Sequence, residues 1–270
     1  MAQRFAGKVA LVTGSTQGVG AALSELMADE GLAGAVVTGR NAERGSAVQA
    51  ALEAKGCPAI FVSADLADAE QVDALIRAAD KRFGRIDHLA NCGALTDRGN
   101  LWDTSVELFD SMMAVNARAP FQLIQGVARI ARRNGTAASV VNVGSTSGHG
   151  GQPFITAYCI SKGALMTMTK NLAYQLMRHG IRVVTVNPGW MDTPGEDATQ
   201  RKHHGATDGW LEAASATRPW GRLVSINELV NTMAFVLSDE AGLMSGTIID
   251  LDQSVQGAGD PPVPPAELGP

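Results

Sequence analysis

The feature that most constrains this chain is an alternation of short apolar runs with longer helical patterns. Residues 8–13 (KVALVT), 35–38, 59–63, 86–90, 139–143, 182–186 and 247–251 have the length and β-branched content of buried strands. Between them, residues 67–83, 106–132, 157–179 and 226–237 carry helical patterns. This rhythm predicts an α/β fold, a doubly wound parallel seven-stranded sheet with helices on both faces. The 270 residues suit a single domain over residues 1–256. The rhythm breaks at residues 191–216, where something other than sheet is built. Residues 257–270 (GAGDPPVPPAELGP) read as a proline-rich C-terminal tail, extended rather than folded.

Composition removes several classes of function. With 45% hydrophobic and 18% charged residues the chain is ordinary for a globular protein. A chain this long buries roughly three quarters of its unfolded surface, so its core needs neither disulfide nor metal. The formal charge of −5 gives no electrostatic reason to expect nucleic acid or an anionic membrane as partner. No apolar run approaches the ~20 residues of a membrane span. The first residues, MAQRF, lack a signal-peptide core, so a cytoplasmic location is expected. Cys57, Cys92 and Cys159 are odd in number and show no metal-ligand spacing. They read as reduced, packed thiols, and no metal site is expected.

The segment Thr13-Gly14-Ser15-Thr16-Gln17-Gly18-Val19-Gly20 follows the first strand and opens the first helix. Gly14 permits a tight turn, while Gly18 and Gly20 let backbone approach a pyrophosphate and let the helix sit close on the sheet. The helix N-terminus offers free N–H groups and partial positive charge to phosphates. Ser15, Gln17 and Val19 complete the expected dinucleotide loop. At the end of the second strand, where a carboxylate would bond a ribose 2′-hydroxyl, the chain has Gly39, Arg40 and Asn41. A guanidinium there suits a 2′-phosphate, which favours NADP(H) and leaves NAD(H) as the alternative. Arg40 also admits a plainer reading as a surface residue closing the loop. Asp65-Leu66 ends the third strand, where the carboxylate meets an adenine edge or caps the next helix.

Tyr158 and Lys162 stand four residues apart on a helical pattern and so share a face. Ser145 lies just past the fifth strand, at the end where parallel sheets bind ligands. A phenol ionises near ~10. An ammonium ~4 Å away contributes about 4 kcal/mol at an effective dielectric of ~20. That is about 3 pK units before desolvation is subtracted, which would bring Tyr158 toward neutrality as a proton-transfer group. Ser145 is placed to hydrogen-bond a carbonyl oxygen, and Lys162 to hold a ribose.

Together, the T-G-x-x-x-G-x-G loop, the spacing of Ser145 from Tyr158-x-x-x-Lys162, and Asn187-Pro188-Gly189 resemble the short-chain dehydrogenase/reductase family over residues 7 to about 255. The resemblance implies a Rossmann fold and an enzyme passing a hydride between a nicotinamide and a secondary alcohol/carbonyl pair. It implies Asn116 as a fourth catalytic member, holding a water in a proton relay from Lys162. Pro188, Gly189, Met191 and Thr193 match the family's nicotinamide-carboxamide segment. The family's N-N-A-G is here Asn91-Cys92-Gly93-Ala94, so Asn91 and Gly93 keep their expected places near the cofactor while Cys92 departs. The family also implies a homotetramer formed through residues 106–132 and 157–179.

Residues 191–216 then become a substrate lid. Arg201, Lys202, His203, His204 and Trp210 lie in it. A cationic lid suggests a sugar or acidic substrate bound by Arg201, His203 or His204, although charge runs are also ordinary solvated helix faces. Ser147, His149 and Gln152 fall in a polar stretch that lines the pocket in the family, or face solvent. That polarity favours a sugar or other polyhydroxy small molecule. The alternatives are a reductase of a non-sugar ketone, 3-oxoacyl or steroid-like, and a dinucleotide-binding sensor without turnover.

Overall fold

The computed structural model describes residues 3–255, so the expected tail at 257–270 lies outside the described residues. Within them, β1 (Val9–Thr13), β2 (Gly34–Gly39), β3 (Ala59–Ser63), β4 (His88–Asn91), β5 (Ala138–Val143), β6 (Ile181–Pro188) and β7 (Ile248–Leu251) form one parallel sheet. Its order is β3-β2-β1-β4-β5-β6-β7. The helices are α1 (Gly18–Asp29), α2 (Ala42–Ala54), α3 (Ala69–Phe83), α4 (Val106–Met113), α5 (Ala119–Asn134), α6 (Thr156–Leu176), α7 (Pro194–His204), α8 (Trp210–Ala216) and α9 (Ile226–Leu237).

Side chains alternate across a strand, and the two cores follow that period of two. Val12, Val37 and Val184 face Leu23 and Met27 of α1 and Leu229 and Met233 of α9. Their neighbours Leu11, Val36 and Val183 face Val72 and Leu75 of α3 and Leu123 and Val127 of α5. Helix ends follow local chemistry. Asp68 caps α3 by accepting from the Glu70 and Gln71 N–H groups, and Gly84 ends it at φ +69°. Ser225 and Glu228 form a reciprocal capping box on α9.

The helix expected over residues 106–132 is interrupted. A π-helical turn, Ala114–Arg118, separates α4 from α5. The cause is Pro120, which has no N–H for the Asn116 carbonyl four residues back, so the ordinary ladder cannot run through. The turn carries Asn116 into the interior, at 1% exposure.

The sheet order reverses between β1 and β4. To one side lie β2 and β3, to the other β5, β6 and β7, and a crevice opens beyond the strand carboxyl ends at this point. Every site residue discussed below stands at that end.

The opposite end holds a buried histidine. Ser139 Oγ donates to the Leu237 carbonyl at 2.6 Å, so it accepts from His88 Nδ1 at 2.8 Å. His88 Nε2 is then bare and buried without a partner. Burial pushes His88 down to about 4, against about 6.5 in an unfolded chain. As pH falls from 6.5 toward 4 the unfolded chain takes up a proton that the folded state resists, and stability falls by about 3 kcal/mol. Urea unfolding at pH 7 and pH 4.5 should show this loss in the wild type and most of it removed in His88→Leu. Equal losses in both proteins would assign the acid sensitivity to other groups.

Candidate active site

The crevice is built from backbone contact. A Cβ on Gly14 would stand 2.7 Å from Gly93 Cα, so the loops after β1 and β4 touch where both lack side chains. Thr13 Oγ1 accepts from the Cys92 and Gly93 N–H groups, each at 3.1 Å, and locks the two loops together. Gly20 sits against the Gly14 carbonyl, where a Cβ would be 2.7 Å away. The start of α1 has no side-chain cap and no acidic residue in its first turn. Its first N–H groups are thus left for an anion in the crevice.

A cleft of about 570 Å³ runs along this seam. Of the residues expected to bind cofactor, Gly14, Gln17, Gly18, Val19, Gly20, Arg40, Asn41, Asp65, Leu66, Gly93 and Thr193 line it. Others do not. Ser15 is fully buried; its Oγ donates to Val12 O at 2.7 Å and accepts from Thr38 N at 2.9 Å, so it staples the loop to β2 while Thr16 takes the cleft wall. Asn91 donates to Asn142 Oδ1 at 2.8 Å and belongs to a buried polar ladder through Thr169 to Thr185. Pro188 ends β6 and the Gly189 N–H continues the pairing to Leu251 O at 2.9 Å. Met191 bridges to Val224 and packs into the core. Asp65 does not cap α3, a task that Asp68 performs. Its Oδ1 instead accepts from Ala67 N at 2.9 Å in a turn. The reading from residues missed Arg44, which joins Arg40 and Asn41 at the cleft mouth. The signal was its position one helical turn beyond Arg40.

Beside the cleft lie Ser145, Tyr158 and Lys162. Lys162 is buried at 2% exposure, its Nζ donating to Val143 O at 2.8 Å and lying 5.6 Å from the Tyr158 ring centre. Ser145 is fixed from both sides. Its N–H donates to Asn187 Oδ1 at 3.0 Å and its Oγ accepts from Ser147 N at 3.1 Å. Asn116 Oδ1 accepts from Leu95 N at 2.8 Å, while its Nδ2 donates to Leu95 O at 2.9 Å and Ser161 Oγ at 3.0 Å. Its amide therefore clamps the loop after β4.

The expected lowering of Tyr158 toward neutrality is not what the geometry produces. Burial pushes Tyr158 up to about 12, with the Ser145 hydroxyl pulling it back only in part. Burial also pushes Lys162 down to about 8, and its nearest partner is a neutral carbonyl. Desolvation outweighs the attraction assumed from spacing alone, so at neutral pH the free protein holds a phenol and an ammonium, both protonated.

The family model described as enoyl-(acyl carrier protein) reductase matches residues 14–255. An uncharacterised oxidoreductase of Thermotoga maritima is 33% identical over 249 residues, covering 92% of this chain and 97% of that one. The chain belongs to the short-chain dehydrogenase/reductase family. It is an NAD(P)-dependent oxidoreductase of the alcohol/carbonyl type. Among solved structures, the L-sorbose reductase of Gluconobacter frateurii, complexed with NADPH and L-sorbose, is similar at 27% identity and a TM-score of 0.88. That match covers 96% of this chain and all of that one, 100%. An NAD+-bound xylitol dehydrogenase is similar at 26% identity and a TM-score of 0.84, covering 93% and 99%.

The segment expected as a lid, residues 191–216, is not the cationic surface expected. Residues 191–216 hold five carboxylates (Asp192, Glu196, Asp197, Asp208, Glu212) against two permanent cations, Arg201 and Lys202. Arg201 pairs with Asp197 at 3.0 Å and Asp208 at 3.3 Å. Lys202 pairs with Asp97 at 3.2 Å, and His203 lies 3.8 Å from the same carboxylate. Burial and the neighbouring Lys202 hold His203 below its ordinary value, which disfavours its charged form. His204 Nε2 accepts from Arg98 Nε at 3.1 Å. Trp210 stacks on Trp190 and donates to Asp197 at 2.7 Å, inside the lid's own packing. The residues offered for anion recognition thus have partners within the segment or on the loop at 97–98.

Ser147, His149 and Gln152 are also committed. Ser147 Oγ donates to Gln152 Oε1 at 2.6 Å. His149 Nε2 lies 2.9 Å from Asp250, which accepts from Asn187 Nδ2 at 2.9 Å. Asn187 in turn holds the Ser145 N–H, so this network orients Ser145 from behind.

Two glycines separate strain from contact. Gly14 (φ +61°) and Gly18 (φ +56°) both use the left-handed region, yet a Cβ at Gly18 meets nothing within 4 Å. Gly18→Ala should cost about 1–2 kcal/mol in thermal or urea unfolding, the strain alone. Gly14→Ala should cost clearly more, because the Gly93 backbone must move.

Proposed function

We propose that this enzyme interconverts a carbonyl and a secondary alcohol on a sugar or other polyhydroxy substrate, with Tyr158 transferring the proton and NADP(H) as the preferred dinucleotide. The observation that carries this reading is the convergence of Tyr158, Ser145 and Lys162 at the strand carboxyl ends, beside a cleft with an uncapped helix N-terminus. Cys92, on the cleft wall, and Lys162 are close enough to shift each other's ionisation.

The residues present fit a nicotinamide dinucleotide. The close approach at Gly14, Gly93 and Gly20 leaves room for backbone to meet a pyrophosphate, which the first N–H groups of α1 would bond. Arg40 and Arg44 supply two cations for a ribose 2′-phosphate, where the sequence reading had one. Of the two similar solved structures, one holds NADPH and the other NAD+, so the arginines carry the preference. When bound, the nicotinamide supplies or accepts the hydride.

The chain's own residues handle the proton. In reduction, Ser145 donates a hydrogen bond to the substrate carbonyl oxygen and holds it at the Tyr158 hydroxyl. Tyr158 gives its proton to that oxygen as the carbonyl carbon gains the hydride. The Lys162 ammonium stabilises the phenolate that remains and returns a proton toward it. Asn116 serves this relay from the π-helical turn, where Pro120 leaves the Asn116 carbonyl without its usual donor. Because the free enzyme keeps Tyr158 neutral, the phenol carries the proton that reduction requires.

Similarity to an L-sorbose reductase and a xylitol dehydrogenase supports the polyhydroxy class. Similarity to a 3-oxoacyl-(acyl-carrier-protein) reductase of Thermotoga maritima, 32% identical over 253 residues, favours a second reading, a 3-oxo acyl substrate, and the assay should include one. No described helix is long and apolar enough to cross a membrane. The free thiols of Cys57, Cys92 and Cys159 support a cytoplasmic location. Exposed Val106 on α4, Phe121 on α5, and Ile160 and Tyr174 on α6 support a homotetramer through these helices.

Tyr158→Phe should lower kcat by about 10²–10⁴-fold with dinucleotide affinity little changed, measured by turnover and fluorescence titration. Retained turnover would exclude the proton-transfer role. Replacing Arg40 and Arg44 together by Ala should weaken NADPH binding by about tenfold or more while sparing NADH. An equal loss for both cofactors would end the NADP(H) preference.

A further inference from the structure

The loop after β4 and α7, from its first turn to its last, meet through charge. Asn116 holds Leu95 by both its N–H and its carbonyl. Four residues on, Gly99 N donates to Phe154 O at 3.0 Å, and Thr156 N donates to Gly99 O at 2.9 Å. Thr156 opens α6 two residues before Tyr158, so this strand-like contact brings the loop to the start of the helix that carries the phenol. Arg98 is fixed in the loop by donation to Thr96 O at 3.1 Å and to His204 Nε2 at 3.1 Å, with Phe154 beneath it.

Glu196 faces Arg98 from the first turn of α7. Its Oε1 accepts from Trp190 Nε1 at 2.8 Å and Gln200 Nε2 at 2.6 Å. Its Oε2 accepts from no group among the described residues. Arg98 Nη2 and Glu196 Oε1 are 4.0 Å apart, too far for a hydrogen bond, and their side chains are 18% and 21% exposed. Both charges reach the Tyr158 hydroxyl, Glu196 raising its pKa and Arg98 lowering it. Two opposite charges are thus held beside the reacting phenol, and each keeps hydrogen-bonding capacity that the protein does not use.

We propose that Arg98 and Glu196 are the specificity-determining pair of this enzyme, gripping a substrate hydroxyl close to the reacting carbonyl. This rests on the polyhydroxy reading and sharpens it. A hydroxyl accepts from a guanidinium and donates to a carboxylate at once. A carboxylated substrate would meet Glu196 and an aminated one Arg98. An alkyl chain would strip water from both charges and replace none of their hydrogen bonds.

The test compares two ketones in the NADPH-dependent direction, a ketohexose and hydroxyl-free cyclohexanone, in wild type, Glu196→Gln and Arg98→Met. Gln keeps the shape and an acceptor for Trp190 and Gln200, but its second position donates instead of accepting. The ratio of kcat/KM for ketohexose over cyclohexanone should fall about tenfold or more in each variant, mainly through KM for the ketohexose. Equal losses on both ketones would make the pair a structural support of the lid and overturn the proposal; so would an unchanged ratio. A wild type that prefers the ketohexose, with ratios unchanged in the variants, sinks the pair alone. A wild type that reduces cyclohexanone or a 3-oxo acyl substrate but no ketohexose sinks the polyhydroxy reading and the pair with it.

Discussion

The close approach of two loops, at Gly14 and Gly93, is the constraint on which the rest of this molecule depends. The strand order reverses between β1 and β4, so the connections leaving these two strands diverge to opposite sides. The glycines let the diverging loops touch, and the Thr13 hydroxyl ties them by accepting two backbone N–H groups. That contact sets the start of α1, hence the direction of its free N–H groups. It also sets where the loop after β4 leaves the sheet, hence where Asn116 can clamp Leu95 and where Arg98 arrives.

The same burial that makes the site tight sets its protonation. Tyr158 and Lys162 are shifted in opposite directions by one cause, the loss of water around a charged form. The phenol stays neutral because its anion would be poorly solvated. The ammonium is loosened because burial strips its water, which the neutral Val143 carbonyl replaces only in part. A site of this kind keeps the proton on Tyr158 until a charge nearby changes.

The segment 191–216 shows how a charge run misleads when read alone. Arg201, Lys202, His203 and His204 look like a basic patch, yet each meets a partner from the lid or from the loop at 97–98. The run fastens the segment to that loop. The wider-spaced pair left over the phenol, Arg98 and Glu196, belongs to neither segment alone.

What the sequence determined by itself is whatever short-range patterns encode. The strand runs matched the observed strands to within a few residues because burial on both faces demands continuous apolar stretches. The glycine loop was legible because a tight turn and a close approach need glycine at fixed offsets. The Tyr158 and Lys162 pairing was legible because one helical turn joins them. Neighbouring positions were harder: Ser15 and Thr16, or Asp65 and Asp68, exchange roles because a side chain's direction depends on the turn that holds it. The tertiary structure alone decided the break at Asn116, the arrival of Arg44 beside Arg40, the pairing of the lid's cations, and the direction of the Tyr158 shift. Each of these depends on how much water a group keeps and which remote segment replaces it, and no local spacing carries that information.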